Sequence, residues 1–347
     1  MYFRQLVFVK RLLKSAFLAA KISSTEFKGT NLPQVARMAS ISDTTVKRAS
    51  DSRSEMVERL LLLERLDENL YRSLNLLAGR PRTTQVYGGL IVAQSLIAAA
   101  KTVPDTVHCH SLHSYFIKTG NSEKPILYYV ERIRDGRSFY TRNVKAVQDG
   151  INIFSAMLSF VASQPESVSH QETMPVVPKP DELEEAEEIF RRLIDDPSAE
   201  ISPYQRERMK LWLEATNTFL VKPTKPDVII HRRGPEPKAQ LWVKVKGEYD
   251  DKEVLHVGAA SYISDFFLIG AALLPHTAAG FRPGMVVSLD HTLWFHSHDF
   301  KMSEWMLYET WSTYAGMSRA LSFGRIWTAD GKLAISTSQE SLIRGKL

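Results

Sequence analysis

The chain has 347 residues, enough for two ordinary domains, and its 44% apolar and 24% charged composition is typical of a folded protein. The formal net charge of +5 is unevenly placed: residues 1 to 50 hold nine basic against two acidic side chains, and the remaining 297 residues carry a net charge of −2. Because a near-neutral body has no field to neutralise phosphates, we do not expect nucleic acid as a partner.

Cysteine content and hydropathy exclude two further classes of protein, disulfide-stabilised proteins and integral membrane proteins. A single cysteine, Cys109, excludes an internal disulfide framework and fits a reducing compartment. No eighteen residues run apolar without interruption, so we expect no integral membrane segment.

Residues 1–54 are predicted to form a basic N-terminal extension. The stretch "MYFRQLVFVKRLLKSAFLAAKISSTEF" has no acidic residue before Glu26 and mixes basic, apolar and serine residues. That composition is typical of a mitochondrial transit peptide. A disordered leader upstream of Met38 explains the same residues, so both interpretations stay open.

Residues 55–164 predict one helix followed by four strands. The helix "GGLIVAQSLIAAAKTV" begins at Gly88 and is apolar on nearly every side, so it should be surrounded by other elements. The strands are "VHCHSLHSYFI", "ILYYVERIR", "SFYTRNVKAVQ" and "NIFSAMLSFVA", with a hairpin turn at Asp149-Gly150 before the last. Residues 165–237 then read as a Pro-rich and acidic linker with surface helices, to which we assign no chemistry.

Residues 238–347 repeat the same order. The helix "DFFLIGAALLPH" is predicted to open at Asp265 and to close at Pro275, and four further strands follow it. Leu127-Tyr128 matches Leu307-Tyr308 at a spacing of 180, and the second turn, Asp330-Gly331, follows the first by 181. We therefore predict an α+β protein made of two tandem copies, each with an antiparallel sheet wrapped around a central helix.

The chain ends in "IRGKL", in which Gly345-Lys346-Leu347 is close to the Ser-Lys-Leu peroxisomal address. We predict the peroxisomal matrix as the location, with the mitochondrial matrix, through the basic extension, as the alternative.

Two groups of histidines invite a metal-site interpretation that we do not favour. Strand alternation predicts that His108 and His110 share one face and that His113 lies on the other. No Cys pair or HExxH motif accompanies them or the group His291, His296 and His298. The chain also lacks a G-x-S-x-G elbow and a Gly-rich phosphate loop, so we predict neither a metal nor a cofactor.

The two copies differ at three polar positions. Ser288 falls opposite His110, Gln339 falls opposite Leu158, and Asp265 falls near Gly88. Since polar groups on core segments are costly unless they are bonded, the three together indicate a shared task. Alone, an Asp before an apolar helix is most often an N-cap.

Several long motifs resemble those of the acyl-CoA thioesterase II family of tandem double-hotdog thioesterases. They include "VYGG", "HSLHSYF", "YVERIRDGRSF", "ISDFFLIGAALLPH", "MVVSLDHTLWFH" and "STSQE", and the resemblance extends over residues 58 to 345. It implies a double hotdog fold, an acyl-CoA substrate, homo-oligomerisation and a role in fatty-acid metabolism without a cofactor. The family's catalytic Asp, Ser or Thr, and Gln map onto Asp265, Ser288 and Gln339, whereas Leu90 departs from the Gln that the family usually has after the paired glycines.

The resemblance implies hydrolysis of an acyl-CoA thioester to a free fatty acid and CoA-SH. Asp265 would take a proton from water that Ser288 and Gln339 orient, and backbone N–H groups at the opening of the "DFFLIGAALL" helix would stabilise the oxyanion. Two alternatives stay open: a hotdog enoyl-CoA hydratase, which needs an acid–base Asp/His pair, and a non-catalytic acyl-CoA binding protein.

Overall fold

A computed structural model describes residues 56–215, 218–232, 236–247 and 249–346. The predicted basic extension, residues 1–54, lies outside these ranges, as does Leu347 of the terminal Gly-Lys-Leu. The described residues belong to one compact unit, residues 51–347.

The N-terminal half wraps strands around one apolar helix. In chain order its elements are α1 (Met56–Leu61), β1 (Leu63–Asp67), β2 (Leu70–Ser73), α2 (Gly88–Ala100), β3 (Val107–Phe116), β4 (Leu127–Asp135), β5 (Phe139–Gln148) and β6 (Ile151–Ala162). α2 is buried from Gly89 to Ala99, as its uniform hydropathy predicts. The predicted hairpin turn joins β5 to β6, and both Asp149 and Gly150 have the positive φ that a type I′ turn needs.

The rest of the chain forms the connecting segment and the C-terminal half. Its elements are α3 (Ala186–Asp195), α4 (Pro203–Glu214), β7 (Phe219–Pro223), α5 (Pro226–Ile230), β8 (Lys238–Val245), α6 (Glu253–Ser264), α7 (Leu268–Ala278), β9 (Pro283–Ser288), β10 (Asp290–Phe295), β11 (Met306–Gly316), β12 (Arg319–Thr328) and β13 (Leu333–Gly345). α3 is the predicted acidic surface helix, and a capping box of Glu185 and Glu188 begins it.

One antiparallel sheet runs through both halves of the described chain. Its order is β1-β2-β4-β5-β6-β3-β10-β13-β12-β11-β8-β7, and β9 pairs with β13 beside this path. Counted inward from its outer edge, each half has the same strand order: β1-β2-β4-β5-β6-β3 in the first half and β7-β8-β11-β12-β13-β10 in the second. The two halves meet where β3 pairs with β10, with Leu112 opposite Leu293. α2 packs on the strands of the first half, and α7 packs on β8, β11, β12 and β13. The predicted α+β double hotdog with an internal repeat is therefore confirmed.

The helix of the second copy differs from its prediction. Asp265 does not open an apolar helix: it follows the last residue of α6 with helical φ and ψ, and α7 begins only at Leu268. The reason is that residues 253–264 are themselves apolar enough to continue the helical pattern backwards, so periodicity alone does not mark a start at Asp265. Pro275 likewise lies inside α7 and does not close it.

The boundary predicted at residue 238 also leaves out one strand. β7 lies within the predicted linker, residues 165–237, yet it pairs with β8 from Phe219 to Pro223. β7 is the edge strand equivalent to β1, so the second sheet begins before the linker was expected to end.

The stretch Glu253–Ala278, which holds α6 and α7, is long and apolar enough to cross a membrane by composition alone. However, 78% of its most apolar window is buried inside the protein. It is accounted for as the helical core of the second copy.

Candidate active site

The structure brings the three predicted site residues together. Ser288 Oγ donates a hydrogen bond to Asp265 Oδ1 at 3.0 Å, and Gln339 Nε2 donates to Ser288 Oγ. The residues come from three elements: Asp265 ends α6, Ser288 ends β9 and Gln339 lies in the middle of β13. The result is a line of hydrogen bonds from an amide through a hydroxyl to a carboxylate.

Strand pairing explains how Ser288 reaches Gln339. β9 runs antiparallel to β13 with Ser288 opposite Ser341, two residues from Gln339. Residues two apart on a strand share a face, so Ser341 and Gln339 both point toward the interior. Ser288 is partly exposed and Gln339 is fully buried, so the line runs from the core outward.

Asp265 is only 8% exposed, and three tyrosines lie near its carboxylate: Tyr262 and Tyr308 are buried, and Tyr87 is half-buried. Burial raises the pKa of Tyr87 and of Tyr308, and the nearby Asp265 carboxylate raises both further. Burial likewise raises the pKa of Tyr262 to about 12. All three are therefore neutral donors at physiological pH: Tyr87 donates to the Tyr262 carbonyl at 2.9 Å and Tyr308 to the Ser264 carbonyl. These bonds fix the last turn of α6, which carries Asp265.

The N-terminus of α2, from the other copy, meets the same carboxylate. A β-carbon on Gly88 would lie 2.7 Å from Asp265 Oδ2, and one on Gly89 would overlap the Tyr262 carbonyl oxygen. Only glycine permits an approach this close. As first residues of a helix, Gly88 and Gly89 have amides without an intrahelical acceptor, and neither donates to any group in the described part of the chain.

The sheet register corrects the predicted match between the copies. β3 and β9–β10 each carry a one-residue irregularity, at His110 and at Leu289, so these two residues are equivalent. Ser288 is consequently equivalent to Cys109, not to His110 as the sequence spacing predicted. The same register keeps Gln339 opposite Leu158, so the first copy has buried apolar side chains at both places.

The irregularity in β3 also changes the predicted placement of the histidines. It reverses the alternation after Cys109, so His113 is exposed on the side of His108 and His110 and not on the opposite face. The charge of His113 adds to burial in lowering the pKa of His110, which is consistent with this proximity. Cys109 is buried as predicted, and burial raises the pKa of its thiol.

Another histidine, which sequence reasoning set aside, lies directly behind the site. His291 is fully buried, with Nδ1 3.1 Å from Gln339 Oε1 and Nε2 2.8 Å from Ser264 Oγ. A signal was present in "DHTLWF", where His291 falls on the same alternating face as Leu293 and Phe295.

The interior of the second sheet is more polar than that of the first. Four buried hydroxyls on β11, β12 and β13 have no hydrogen-bond partner among the described residues: Thr310, Ser322, Thr337 and Ser341. At the equivalent places the first copy has Val130, Arg142, Ala156 and Phe160. Since buried polar groups are normally hydrogen-bonded, these hydroxyls can each still form a hydrogen bond with a water molecule or a polar ligand.

A cluster that could hold a metal ion lies where the two halves meet. One nitrogen or oxygen atom from each of His108, Glu253 and His298 lies within 4.8 Å of the others. His108 Nδ1 contacts Glu253 Oε1 at 2.5 Å, and His298 Nε2 donates to the Cys109 carbonyl at 2.7 Å. The first contact joins β3 to α6 and the second joins the segment after β10 to β3, and we assign the cluster that structural role.

The position that departs from the family pattern, Leu90, is fully buried in the core of the first copy. It is two residues from Gly88, yet it belongs to the packing of α2.

Comparison with known proteins agrees with this architecture. Residues 79–161 match the family described as acyl-CoA thioesterase N-terminal domain, and residues 180–343 match the acyl-CoA thioesterase C-terminal domain. Acyl-coenzyme A thioesterase 8 of Rattus norvegicus is 41% identical over 301 residues, which cover 86% of this chain and 92% of that protein. Peroxisomal acyl-coenzyme A thioester hydrolase 1 of Saccharomyces cerevisiae is 26% identical, covering 85% of this chain and 96% of the relative.

Among solved structures, the acyl-CoA thioesterase II TesB2 from Mycobacterium marinum superposes with a TM-score of 0.66 at 35% identity. The match covers 84% of this chain and 98% of that one. The chain therefore belongs to the acyl-CoA thioesterase II family of tandem hotdog proteins, which are thioester hydrolases.

Proposed function

We propose that this protein hydrolyses acyl-CoA thioesters to a free fatty acid and CoA-SH, using a water molecule activated by Asp265. The observation that carries the proposal is the hydrogen-bonded line Gln339–Ser288–Asp265, built in one copy of a duplicated fold whose other copy has apolar residues at the Ser and Gln positions. Because burying a polar group costs free energy, several buried polar groups that contact one another favour a catalytic role over a packing role.

The reaction needs a base, an oriented water and donors for the oxyanion. Asp265 takes a proton as the water oxygen bonds to the thioester carbon. The C–S bond then breaks as the carbonyl re-forms, and the departing sulfur receives that proton from the Asp265 carboxylic acid. Ser288 holds one carboxylate oxygen, and Gln339 keeps a second N–H free to orient the water.

For the oxyanion donors we favour the Gly88 and Gly89 amides over the start of α7. Gly88 lies against Asp265 Oδ2, and neither amide has another acceptor within the described ranges. A helix N-terminus concentrates partial positive charge, which is what a developing oxyanion requires. The active site would then be shared: the base comes from the second copy and the oxyanion donors from the first.

The hydratase alternative needs a histidine that can reach substrate beside the aspartate. His291 is the histidine nearest to Asp265 along the hydrogen-bonded line, but both of its ring nitrogens already contact protein side chains, Ser264 and Gln339. The geometry therefore favours hydrolysis. The carrier alternative predicts binding without turnover and gives no reason for the free N–H of Gln339.

The test is thiol release from a ladder of acyl-CoA lengths by purified protein, with product analysis for 3-hydroxyacyl-CoA. Asp265→Asn should lower kcat by about 10²-fold or more, because it removes the base and keeps the shape. Asp290→Asn is the control and should keep its activity: Asp290 is partly buried, it accepts from the Glu340 amide at 2.7 Å, and an Asn oxygen can do the same. Near-full activity of the Asp265 variant would contradict the assignment.

We further propose a role in peroxisomal fatty-acid metabolism. The support is the terminal Gly-Lys-Leu and the relative from Saccharomyces cerevisiae that is named peroxisomal. Gly345 pairs with Pro283, and the Lys346 amide donates to the Arg282 carbonyl at 3.2 Å, so a receptor would have to free this end from β9. Imaging an N-terminally intact chain with and without Lys346-Leu347 tests the address. A mitochondrial signal in both would favour the basic extension.

Homo-oligomerisation is also a proposal, supported by the outer face of the central strands. Tyr115, Met157 and Trp294 are 65%, 52% and 38% exposed there, on β3, β6 and β10. Light scattering should give a dimer or larger species that Met157→Glu weakens. Met317→Glu, at the exposed β11–β12 turn, is the control. A monomer at all concentrations would contradict the proposal.

A further inference from the structure

We propose that His291 is a positioning residue: it fixes the Gln339 side-chain amide in the one orientation that donates to Ser288. His291 touches neither Ser288 nor Asp265, and it acts through Gln339. The inference rests on the proposed function, because it explains how the water-orienting amide is held.

Both ring nitrogens of His291 contact a polar side chain. Nδ1 lies 3.1 Å from Gln339 Oε1 and Nε2 lies 2.8 Å from Ser264 Oγ, and the side chains of all three residues are fully buried. Burial lowers the pKa of His291, although Asp265 and the bond to Gln339 oppose that effect. The ring is therefore neutral at physiological pH and carries one proton, on either Nδ1 or Nε2.

One arrangement of protons satisfies every contact along the line. Ser264 Oγ donates to His291 Nε2, and His291 Nδ1 donates to Gln339 Oε1. The Gln339 NH₂ then donates to Ser288 Oγ, which donates to Asp265 Oδ1. Each hydroxyl and the imidazole use their single proton once, and every proton points toward the carboxylate.

The opposite tautomer breaks the line. If His291 Nε2 carries the proton, Nδ1 is an acceptor, and Gln339 must turn its NH₂ toward it and its oxygen toward Ser288. Ser288 then has one proton for two acceptors, Gln339 Oε1 and Asp265 Oδ1, and one of the two close contacts becomes repulsive. A buried polar group left unpaired in this way is costly, so this arrangement is disfavoured. Ser264 could instead donate to the Ser261 carbonyl, 2.8 Å away, and the proposal requires that it donates to His291.

The first copy shows that the fold itself needs no histidine here. By the sheet register His291 is equivalent to Leu112, Gln339 to Leu158 and Ser288 to Cys109, and those three residues form part of a buried apolar core. The histidine thus occurs together with the residues of the proposed site and is replaced together with them.

The test compares three variants of the full chain. Asn places a donor where Nδ1 stands, Gln reaches the Nε2 position instead, and Leu matches the first copy. We expect His291→Leu and His291→Gln to lower kcat by about 10-fold to 100-fold with KM changed less than about 3-fold, and His291→Asn to recover much of kcat. Equal losses in the Asn and Gln variants would overturn the proposal, since a purely structural role has no preference for the Nδ1 position.

Two measurements separate this inference from the proposed function. Nitrogen NMR of histidine-labelled protein should show the Nδ1–H tautomer for His291, assigned by its loss in the Asn variant; an Nε2–H tautomer overturns the inference whatever the activity. If Asp265→Asn is inactive while His291→Leu is fully active, the inference fails and the proposed function stands. If Asp265→Asn is active, the proposed function fails first. Adding His291→Leu to Gln339→Ala should lower kcat little beyond Gln339→Ala alone, because the two residues act as one unit.

Discussion

Gly88 of the first copy lies so close to Asp265 of the second that a β-carbon on the glycine would stand 2.7 Å from the carboxylate Oδ2. The contact joins the N-terminus of α2 to the end of α6, and these two helices pack along each other. The tandem arrangement is therefore part of the site: a lone C-terminal half would lack the backbone that closes one side of the carboxylate.

Gly88→Ala should lower activity more than stability. The new methyl group displaces the Asp265 carboxylate or the Phe116 ring, which would lie 3.1 Å away, and a shift of this size at a reacting group costs up to about 10²-fold in rate. Steady-state kinetics together with a thermal melt checks this. Unchanged kcat would mean that the carboxylate has room to move without consequence.

Gly270→Ala is the matched control for the glycine change. Gly270 lies inside α7, and a β-carbon there meets nothing within 4 Å. Alanine is preferred over glycine in a helix interior by about 1 kcal/mol, so this variant should keep its activity and melt no lower than the parent.

Ser288→Ala should lower kcat, and Ser288→Thr should largely preserve it. Alanine removes the hydroxyl that bridges Gln339 and Asp265, whereas threonine keeps the hydroxyl and suits the end of a strand. We expect about a 10-fold or larger loss for alanine and less than about 3-fold for threonine, in thiol-release assays at saturating substrate. Equal effects of the two changes would remove the hydroxyl from the chemistry.

How many of the helices and strands could be predicted from the sequence depends on the type of signal that marks each one. Seven of the eight predicted strands, and the repeat, were predictable because alternation and two Asp-Gly turns are local signals. The eighth, "MVVSLDHTLWFH", is two strands, β9 and β10, and the prediction did not include β1, β2 and β8. The start of the second central helix was not: α6 and α7 are both apolar on nearly all sides, so the break at Asp265 has no periodic mark. β7 was missed because a five-residue strand that ends in Pro223, with Pro226 shortly after it, resembles a linker.

The site was only partly predictable for a similar reason. Asp265, Ser288 and Gln339 could be named from the family motifs, but their contacts depend on pairing between β9 and β13, which the sequence does not specify. The one-residue irregularities in β3 and at Leu289 shifted the apparent match between the copies by one position. Because of that shift, the prediction matched Ser288 to His110, and it did not recognise Leu112 as the equivalent of His291.

Arg142→Lys should destabilise the first copy strongly. The Arg142 guanidinium is fully buried and donates to Thr102 Oγ1 at 2.8 Å, to the carbonyls of Thr102 and Arg134 at 3.0 and 2.9 Å, and to Asp135 at 2.5 Å. A lysine ammonium cannot bond to all of these acceptors at once. We expect the free energy of unfolding, measured in urea, to fall by about 2–4 kcal/mol. Arg132→Lys, on exposed β4, should stay within about 0.5 kcal/mol.

His231 should make stability depend on pH in the acidic range. It follows α5 with a φ of 53°, is 7% exposed, and places Nδ1 2.6 Å from Thr277 Oγ1 and Nε2 3.3 Å from the Arg208 guanidinium. Burial, helped by the charge of Arg208, lowers the pKa of His231 from 6.5 to about 3. The folded protein therefore keeps this histidine neutral where the unfolded chain protonates it.

The sign follows from proton binding. Between pH 6.5 and about 3 the unfolded state binds more protons at His231, so the free energy of unfolding falls as the pH falls, by about 1.4 kcal/mol per pH unit from this residue. His231→Asn keeps a donor toward Thr277, tolerates the positive φ and cannot titrate. Urea titrations of both proteins from pH 7 to 4 should give a shallower pH dependence for the variant. Parallel curves would show that the histidine is protonated in the folded protein as readily as in the unfolded chain.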